Sequence, residues 1–292
     1  MFEGFERHRM EANGVEINAV RGGEGPPVLL LHGYPQTHVM WHDVAPLLVD
    51  EGFTVVAADL RGYGDSSKPE GDEAHATYSK RAMADDMVSA MSSLGFDSFA
   101  VVGHDRGGRV GHRMALDHRG CVTKLAVLDI LPTRHLFSTV DRDLAMAYYH
   151  WFFLAQPYDF PEKLIGNNRA YYLEALFGRY GSTVETFAPG ALAEYERCFD
   201  ERTVHASCED YRAAASIDLA HDDSDRDNGR NVECPLLALW GRNGAMHELY
   251  DVLEVWRTYA DDVRGGPMDA GHYLAEEKPV ETARELLPFL KG

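Results

Sequence analysis

Residues 101–108, Val-Val-Gly-His-Asp-Arg-Gly-Gly, place an aspartate in a tight turn between an apolar run and an amphipathic stretch. Glycines on both sides suit a turn whose backbone is strained and closely packed. A carboxylate held there can attack an sp³ carbon and form an alkyl ester on the protein. The dipole of the following helix should keep Asp105 ionised. Asp105 is therefore the predicted nucleophile; the alternative is that it only caps the helix.

An ester on Asp105 would need a water molecule activated by a base, and the sequence offers His272 for this step. His272 stands in a glycine-containing turn after the predicted last strand. Asp129 ends an apolar run and would orient the histidine, which gives the chain order nucleophile, acid, histidine. Asn243 occupies the other position where such an acid could stand, but it cannot carry charge. Asp129 is therefore favoured.

Donor groups are also predicted beside the nucleophile. The backbone amides of Tyr34, which follows the first buried run, and of Arg106 would stabilise the oxyanion formed when water attacks the ester. Arg106 and Arg109 are three residues apart, so they project to similar sides of one helix and could clamp a substrate carboxylate. The alternative for each arginine is a salt bridge to a core acid. Arg113 continues the spacing one turn further away, and we interpret it as structural.

Composition limits the possible partners. The formal net charge is −19 and no Lys/Arg cluster occurs, which argues against nucleic acid, so an anionic substrate needs local positive charge. The four cysteines show no metal-ligand spacing, which indicates reduced thiols and no metal site. The N-terminal residues are acidic, and no apolar run approaches the ~20 residues that span a bilayer. These features predict a soluble cytoplasmic protein that does not bind membranes.

The residues named above must be positioned by strands and helices. Short Val- and Leu-rich runs alternate with amphipathic stretches, which predicts an α/β fold with a mostly parallel central sheet flanked by helices. The clearest runs are residues 28–31, 54–58, 99–102, 125–128 and 236–240, with helices at 79–94 and 244–260. The pattern breaks between about 132 and 230, where aromatic and helix-forming residues dominate and a polar stretch after His221 reads as a linker. We predict a core of residues 1–132 and 232–292 with an inserted helical cap at 133–231.

Several motifs together resemble a known family. They are His32-Gly33-Tyr34-Pro35-Gln36-Thr37-His38-Val39-Met40-Trp41, Asp59-Leu60-Arg61-Gly62-Tyr63-Gly64-Asp65-Ser66, Gly103-His104-Asp105-Arg106-Gly107-Gly108-Arg109, His150-Trp151 and Cys208-Glu209-Asp210-Tyr211-Arg212. Over essentially its whole length, the sequence is similar to the fluoroacetate dehalogenase group of the α/β-hydrolase superfamily. The first two motifs are shared widely in the superfamily. The Asp-Arg-x-x-Arg sequence that begins at Asp105, together with the His150-Trp151 pair, is far more specific for the fluoroacetate dehalogenase group.

The resemblance implies roles for the residues already singled out. Asp105 would be the nucleophile, His272 the base and Asp129 its orienting acid. Arg106 and Arg109 would hold the carboxylate of a small 2-haloacid. The implied reaction is hydrolysis of a carbon–halogen bond, as in the conversion of fluoroacetate to glycolate and fluoride.

The same resemblance extends to the predicted cap. It implies that His150, Trp151 and Tyr211 surround the departing halide, and each of these side chains supplies one hydrogen-bond donor. It also implies a homodimer that needs no cofactor. Without the resemblance, an aromatic cluster in a cap is more often core than halide site.

Two other functions are compatible with parts of the sequence. An epoxide hydrolase would use the same nucleophile, acid and base. Such enzymes favour tryptophan directly after the nucleophile, and Arg106 in that position argues against a neutral epoxide or haloalkane. Ligand receptors and scaffolds can also share this fold, but the complete set of catalytic residues argues against that class.

Overall fold

The computed structural model describes residues 1–292 and is built on one eight-stranded sheet. The strands are β1 (Glu6–Ala12), β2 (Val15–Gly22), β3 (Pro27–Leu31), β4 (Thr54–Ala58), β5 (Phe99–His104), β6 (Val122–Leu128), β7 (Leu236–Gly241) and β8 (Val263–Met268). Their order in the sheet is β1-β2-β4-β3-β5-β6-β7-β8. The β1–β2 and β2–β4 pairs are antiparallel, and all other pairs are parallel.

Fifteen α-helices accompany the sheet, and they fall into two groups. Those joined directly to the strands are α1 (Val44–Asp50), α2 (Lys80–Ser93), α3 (Asp105–Asp117), α12 (Ala245–Leu249), α13 (Val252–Arg257), α14 (Leu274–Glu277) and α15 (Pro279–Lys291). The others are α4 (Thr133–Ser138), α5 (Arg142–Ala147), α6 (Tyr149–Leu154), α7 (Phe160–Gly166), α8 (Arg169–Phe177), α9 (Pro189–Cys198), α10 (Glu201–Ala214) and α11 (Ile217–Asp227). Short 3₁₀ helices occupy His38–Trp41, Ala76–Tyr78 and Val184–Thr186. None of the helices has the length and apolar composition needed to cross a membrane.

The predicted α/β-hydrolase fold is confirmed. Each predicted apolar run lies in a strand of the sheet, from β3 to β7, and these strands are buried almost completely because helices cover both faces. The β1–β2 hairpin was not among the predicted strands. Its signal is the Asn13-Gly14 turn between two alternating segments, and both of these residues have positive φ.

The segment between β6 and β7 contains helices α4 to α11 and no strand; we call residues 133–231 the insertion. One continuous apolar core extends from the sheet into it and includes Leu154 and Tyr195. The prediction of a polar linker after His221 is wrong, because these residues form most of α11. Its aspartates Asp222 and Asp225 bind Arg113 at 2.6 and 2.5 Å, so its polar face packs against a charge of the core.

The predicted helix at 244–260 is also corrected. It is two helices, α12 and α13, separated at Tyr250 and Asp251. The Asp251 side chain accepts a hydrogen bond from the amide of Glu254 at 3.0 Å and so begins α13. A capping residue inside a long amphipathic stretch marks a break that periodicity alone does not reveal.

Candidate active site

The predicted nucleophile stands at the junction of β5 and α3. Asp105 has a φ of 41°, a left-handed backbone conformation that non-glycine residues rarely adopt. The chain on either side is closely packed, since a Cβ at Gly107 would lie 2.5 Å from the carbonyl oxygen of Leu31. These contacts hold the turn in place, with the carboxylate at the carboxyl edge of the sheet.

The surroundings of Asp105 keep it ionised although it is only 7% exposed. The amide of Tyr34 donates a hydrogen bond to Asp105 Oδ2 at 3.0 Å, and Arg109 Nε lies 3.9 Å from Oδ1. Burial alone would raise the pKa of Asp105, but the positive charges of His272 and the two arginines lower that pKa to about 2. The amide of Arg106 belongs to the first turn of α3, where backbone N–H groups have no partner within the helix.

Asp129 and His272 meet beside Asp105. Asp129 follows β6 with a φ of 52°, and its Oδ2 lies 2.6 Å from His272 Nδ1. Its other oxygen accepts a hydrogen bond from the amide of Gly241 at 3.0 Å, so the carboxylate is held at both ends. Burial would lower the pKa of His272, but the hydrogen bond and charge of Asp129, followed by the charge of Asp105, raise it. Asn243 lies in the loop after β7, and its amide donates to the carbonyl of Ala270 at 3.0 Å.

The loop that carries His272 is held by three hydrogen bonds to two residues. Glu277 accepts hydrogen bonds from the amides of Gly271 at 2.6 Å and Tyr273 at 3.0 Å, the two neighbours of His272 in the chain. The His272 carbonyl oxygen lies 2.9 Å from His104 Nε2, in the residue before the nucleophile. Burial lowers the pKa of His104 to about 3, so this ring is neutral and donates from Nε2.

Arg106 is already bound to a carboxylate of the insertion. Its Nε and Nη2 donate to the two side-chain oxygens of Asp210 at 3.0 and 2.5 Å, and Nη2 also donates to the Asp210 carbonyl at 3.0 Å. Lys80 and Tyr63 contact the same carboxylate. The salt bridge that was the alternative for Arg106 is therefore present, and one nitrogen, Nη1, stays buried without a hydrogen-bond partner.

Arg109 is bound less completely than Arg106. Its Nη1 donates to the Leu131 carbonyl at 2.8 Å and to Thr133 Oγ1 at 3.1 Å, while its Nε is buried without a hydrogen-bond partner. Burial lowers the pKa of Arg109 to about 10, which leaves it charged at neutral pH. Arg113 is turned away and binds the aspartates of α11, in agreement with the structural role predicted for it.

The three aromatic residues predicted in the insertion lie together above these arginines. His150 and Trp151 belong to α6 and Tyr211 to α10, with ring centroids 5.7 and 6.1 Å from that of Tyr211. The Arg106 guanidinium lies 4.2 Å from the Tyr211 ring centroid, and that of Arg109 lies 4.3 Å from the Trp151 ring. The Tyr211 hydroxyl is buried and has no hydrogen-bond partner. The structure thus brings together the eight side chains and the two backbone amides singled out in the sequence.

Sequence reasoning missed three residues that support the site. Asp210 fixes Arg106, Glu277 fixes the loop of His272, and Tyr180 lies between His272 and His150. Asp210 stands beside Tyr211 in a motif noted for its resemblance, and this is the only sequence signal for it. Glu277 and Tyr180 lie in unremarkable helix and loop segments, so their roles come only from tertiary contacts.

A strained aspartate between a parallel strand and a helix, with an aspartate after the neighbouring strand bound to a histidine in the loop after the last strand, defines a hydrolase site. The family described as alpha/beta hydrolase fold matches residues 26–279. The chain belongs to this family, and it is a hydrolase.

Individual relatives agree with the resemblance seen in the sequence. A fluoroacetate dehalogenase from Burkholderia sp is 50% identical, over 99% of this chain and 95% of the relative. A soluble epoxide hydrolase from Corynebacterium sp. (strain C12) is 33% identical, over 97% of this chain and 98% of the relative. Among solved structures, an alpha/beta hydrolase from Nostoc sp PCC 7120 has a TM-score of 0.97 and 54% identity, with 99% of each chain covered. The resemblance to fluoroacetate dehalogenases is thereby confirmed.

Proposed function

We propose that this hydrolase removes the halide from haloacetates, fluoroacetate among them, through an ester on Asp105. The observation that carries the proposal is a set of buried donors without hydrogen-bond partners, Arg106 Nη1, Arg109 Nε and Tyr211 Oη, around an ionised carboxylate. A buried donor left unpaired costs about 1–3 kcal/mol, and more when it is charged. Such donors beside a carboxylate nucleophile favour a substrate that carries its own negative charge. The 50% identity to a fluoroacetate dehalogenase supports a carbon–halogen bond as the bond that is broken.

In the first step, an Asp105 oxygen attacks the carbon that bears the halogen. A carbon–oxygen bond forms, the carbon–halogen bond breaks, and its electron pair leaves with the halide. Arg106 and Arg109 hold the substrate carboxylate, which keeps the reacting carbon against Asp105 and offsets the repulsion between two anions. His150, Trp151 and Tyr211 donate to the halide as its charge develops.

In the second step, His272 removes a proton from water, and the oxygen of that water attacks the carbonyl carbon of the ester. The amides of Tyr34 and Arg106 stabilise the oxyanion. When this intermediate collapses, the bond between the carbonyl carbon and the substrate oxygen breaks, the departing oxygen takes the proton of the added hydroxyl to give glycolate, the Asp105 carboxylate is restored, and His272 returns its proton to solvent. The Asp105 charge contributes to the raised pKa of His272. Ester formation removes that charge, so the histidine becomes easier to deprotonate when a neutral base is needed.

The insertion is proposed to act as a cap, and the protein to form a homodimer. The three aromatic side chains proposed to surround the halide, His150, Trp151 and Tyr211, all come from the insertion, which supports a cap over the carboxyl edge of the sheet. The same segment exposes Met146 and Tyr171 by 71% and 73%, as expected where a second copy binds. Light scattering should give twice the mass of 32.6 kDa; a monomeric mass at assay concentrations would contradict the dimer.

Fluoride release from fluoroacetate, followed with an ion-selective electrode, tests the proposed function. We expect release by the unaltered protein and none by Asp105→Ala. Epoxide hydrolysis is the second candidate, because the relative from Corynebacterium shares the fold and one third of the sequence. Parallel assays with styrene oxide separate the two. Turnover of the epoxide without turnover of any haloacetate would contradict the proposal.

A further inference from the structure

His150 has one hydrogen bond within the protein. Its Nδ1 lies 2.9 Å from the hydroxyl of Tyr180, whereas Nε2 has no protein partner and is not fully occluded. The ring is 6% exposed, and burial lowers its pKa to about 3, so it is neutral at ordinary pH. A neutral imidazole donates from one nitrogen and accepts at the other. His150 can therefore assist a departing halide only if its single proton is on the nitrogen that faces the halide.

The Tyr180 hydroxyl decides which nitrogen carries that proton. A phenol can donate or accept, but Arg179 stands beside Tyr180, with its guanidinium carbon 5.6 Å from the ring centroid. Burial raises the pKa of the Tyr180 hydroxyl and the positive charge of Arg179 opposes this, so the guanidinium acts on the phenol oxygen as well as on the ring. Because arginine carries only donors, it favours an orientation in which the phenol oxygen faces the guanidinium and the phenol proton points to His150. The Tyr180 hydroxyl makes one hydrogen bond to a protein group, the one to His150 Nδ1.

We propose that Tyr180 is a positioning residue that donates to Nδ1 of His150 and so fixes the proton of His150 on Nε2, the nitrogen proposed to face the halide. This inference rests on the proposed dehalogenation for its purpose, but the tautomer itself can be measured independently. The insertion would then contribute to the reaction in a second way, because Tyr180, in a loop, sets which nitrogen of His150, in α6, donates a hydrogen bond.

The backbone of Tyr180 also supports the other half of the site. Its carbonyl oxygen accepts the amide hydrogen of His272 at 3.0 Å, and the two rings lie 5.6 Å apart. Tyr180→Phe would keep the backbone contact and the ring, and it would remove only the hydroxyl. Tyr149→Phe is the matched control. Tyr149 lies 6.0 Å from His150 and 4.8 Å from the Arg179 guanidinium, but its hydroxyl makes no hydrogen bond to His150.

The test is NMR of protein labelled with ¹⁵N-histidine, in which two-bond ¹H–¹⁵N correlations show which ring nitrogen is protonated. His150→Gln identifies the signals of His150 by their loss. We expect a proton on Nε2 in the unaltered protein and in Tyr149→Phe, and a mixture of tautomers in Tyr180→Phe. A proton on Nδ1 in the unaltered protein would overturn the proposal, as would an unchanged tautomer in Tyr180→Phe. The tautomer in the unaltered protein can be measured even if Tyr180→Phe does not fold.

Kinetics supply a second readout. The ratio of kcat/KM for fluoroacetate to kcat/KM for chloroacetate should fall roughly 5- to 10-fold in Tyr180→Phe, as expected for one neutral hydrogen bond, and stay constant in Tyr149→Phe. An unchanged ratio would contradict a role of this hydroxyl in halide departure. If no haloacetate is turned over, the proposed function fails, and the NMR result still decides the tautomer.

Discussion

The two sides of the candidate site differ in how completely their polar groups are bound. On the sheet side, both oxygens of Asp129 are occupied, and the loop of His272 is tied by Glu277 and His104. On the insertion side, the Tyr211 hydroxyl has no partner and His150 has a free Nε2. The groups that must keep one geometry are held by the protein itself. The groups without a partner are those proposed to bind an anion, and they would gain hydrogen bonds only when a ligand is bound.

Because of this contrast, we expect that substitution of His272, on the sheet side, stops the reaction after the ester has formed and before it is hydrolysed. His272→Asn should leave alkylation of Asp105 intact and lower turnover by about 10⁴-fold, because only hydrolysis of the ester needs the base. Intact-protein mass spectrometry after incubation with chloroacetate should show a stable adduct on Asp105. An unmodified protein after long incubation would contradict the separation of roles.

The arginines lie between the two sides, and their substitution sharpens the comparison. Arg109→Leu should raise the barrier in kcat/KM for chloroacetate by about 2–5 kcal/mol, the range for removing one partner of a buried charge pair. Arg106→Leu should do the same and also lower the free energy of unfolding, because Asp210 loses the guanidinium that binds both of its oxygens. Denaturant unfolding measures the second effect.

Chloroacetamide is the control for the arginine prediction, since it lacks the carboxylate. The unaltered protein should turn it over poorly, and neither substitution should weaken that residual activity as strongly as the activity toward chloroacetate. Equal turnover of chloroacetate and chloroacetamide by the unaltered protein would disprove the carboxylate clamp.

On the insertion side, the effect of a substitution should depend on the halide. Trp151→Phe and Tyr211→Phe should lower kcat/KM for fluoroacetate by about 10²–10³, by analogy with loss of one oxyanion donor. The loss for chloroacetate should be smaller, because chloride leaves more readily and gains less from each donor. Equal losses for both substrates would mean that these residues shape the pocket without assisting departure of fluoride.

The smallest predicted effect concerns the pH dependence of ester hydrolysis. His272 must be neutral to accept a proton, so ester hydrolysis is lost as pH falls through the pKa of His272 in the ester, which Asp129 and Glu277 still raise when the Asp105 charge is gone. In the free protein Asp105 has a pKa of about 2 and stays ionised over this range. The charge of Glu277 contributes to the raised pKa of His272. Glu277→Gln should therefore move the acidic limb of kcat to lower pH by about half a unit. Glu281→Gln, at an exposed position of α15, is the control and should leave the limb in place; a shift to higher pH in Glu277→Gln would contradict the assignment.

The same contrast explains how far the sequence could be interpreted. Asp105 and Asp129 each follow an apolar strand, and His272 stands in a glycine-containing turn after the last strand. Because parallel strands end at one edge of a sheet, these local patterns were enough to bring the three residues together. The helical insertion was predicted from composition, but the polar residues of α11 looked like a linker because their partner, Arg113, lies about 110 positions earlier. The contacts of Arg106 with Asp210 and of His150 with Tyr180 depend on how the insertion packs, which no local pattern records.

The central claim is covalent catalysis by Asp105, and one isotope measurement tests it most directly. A single turnover of haloacetate is run in ¹⁸O-water with protein in excess, and both the product and the protein are analysed by mass spectrometry. Since water attacks the carbonyl carbon of the ester, the label should enter the carboxylate of Asp105, and the first glycolate released should carry unlabelled oxygen from the protein. Label found directly in that glycolate, with an unlabelled Asp105, would show that water attacks the substrate carbon itself and would contradict the account.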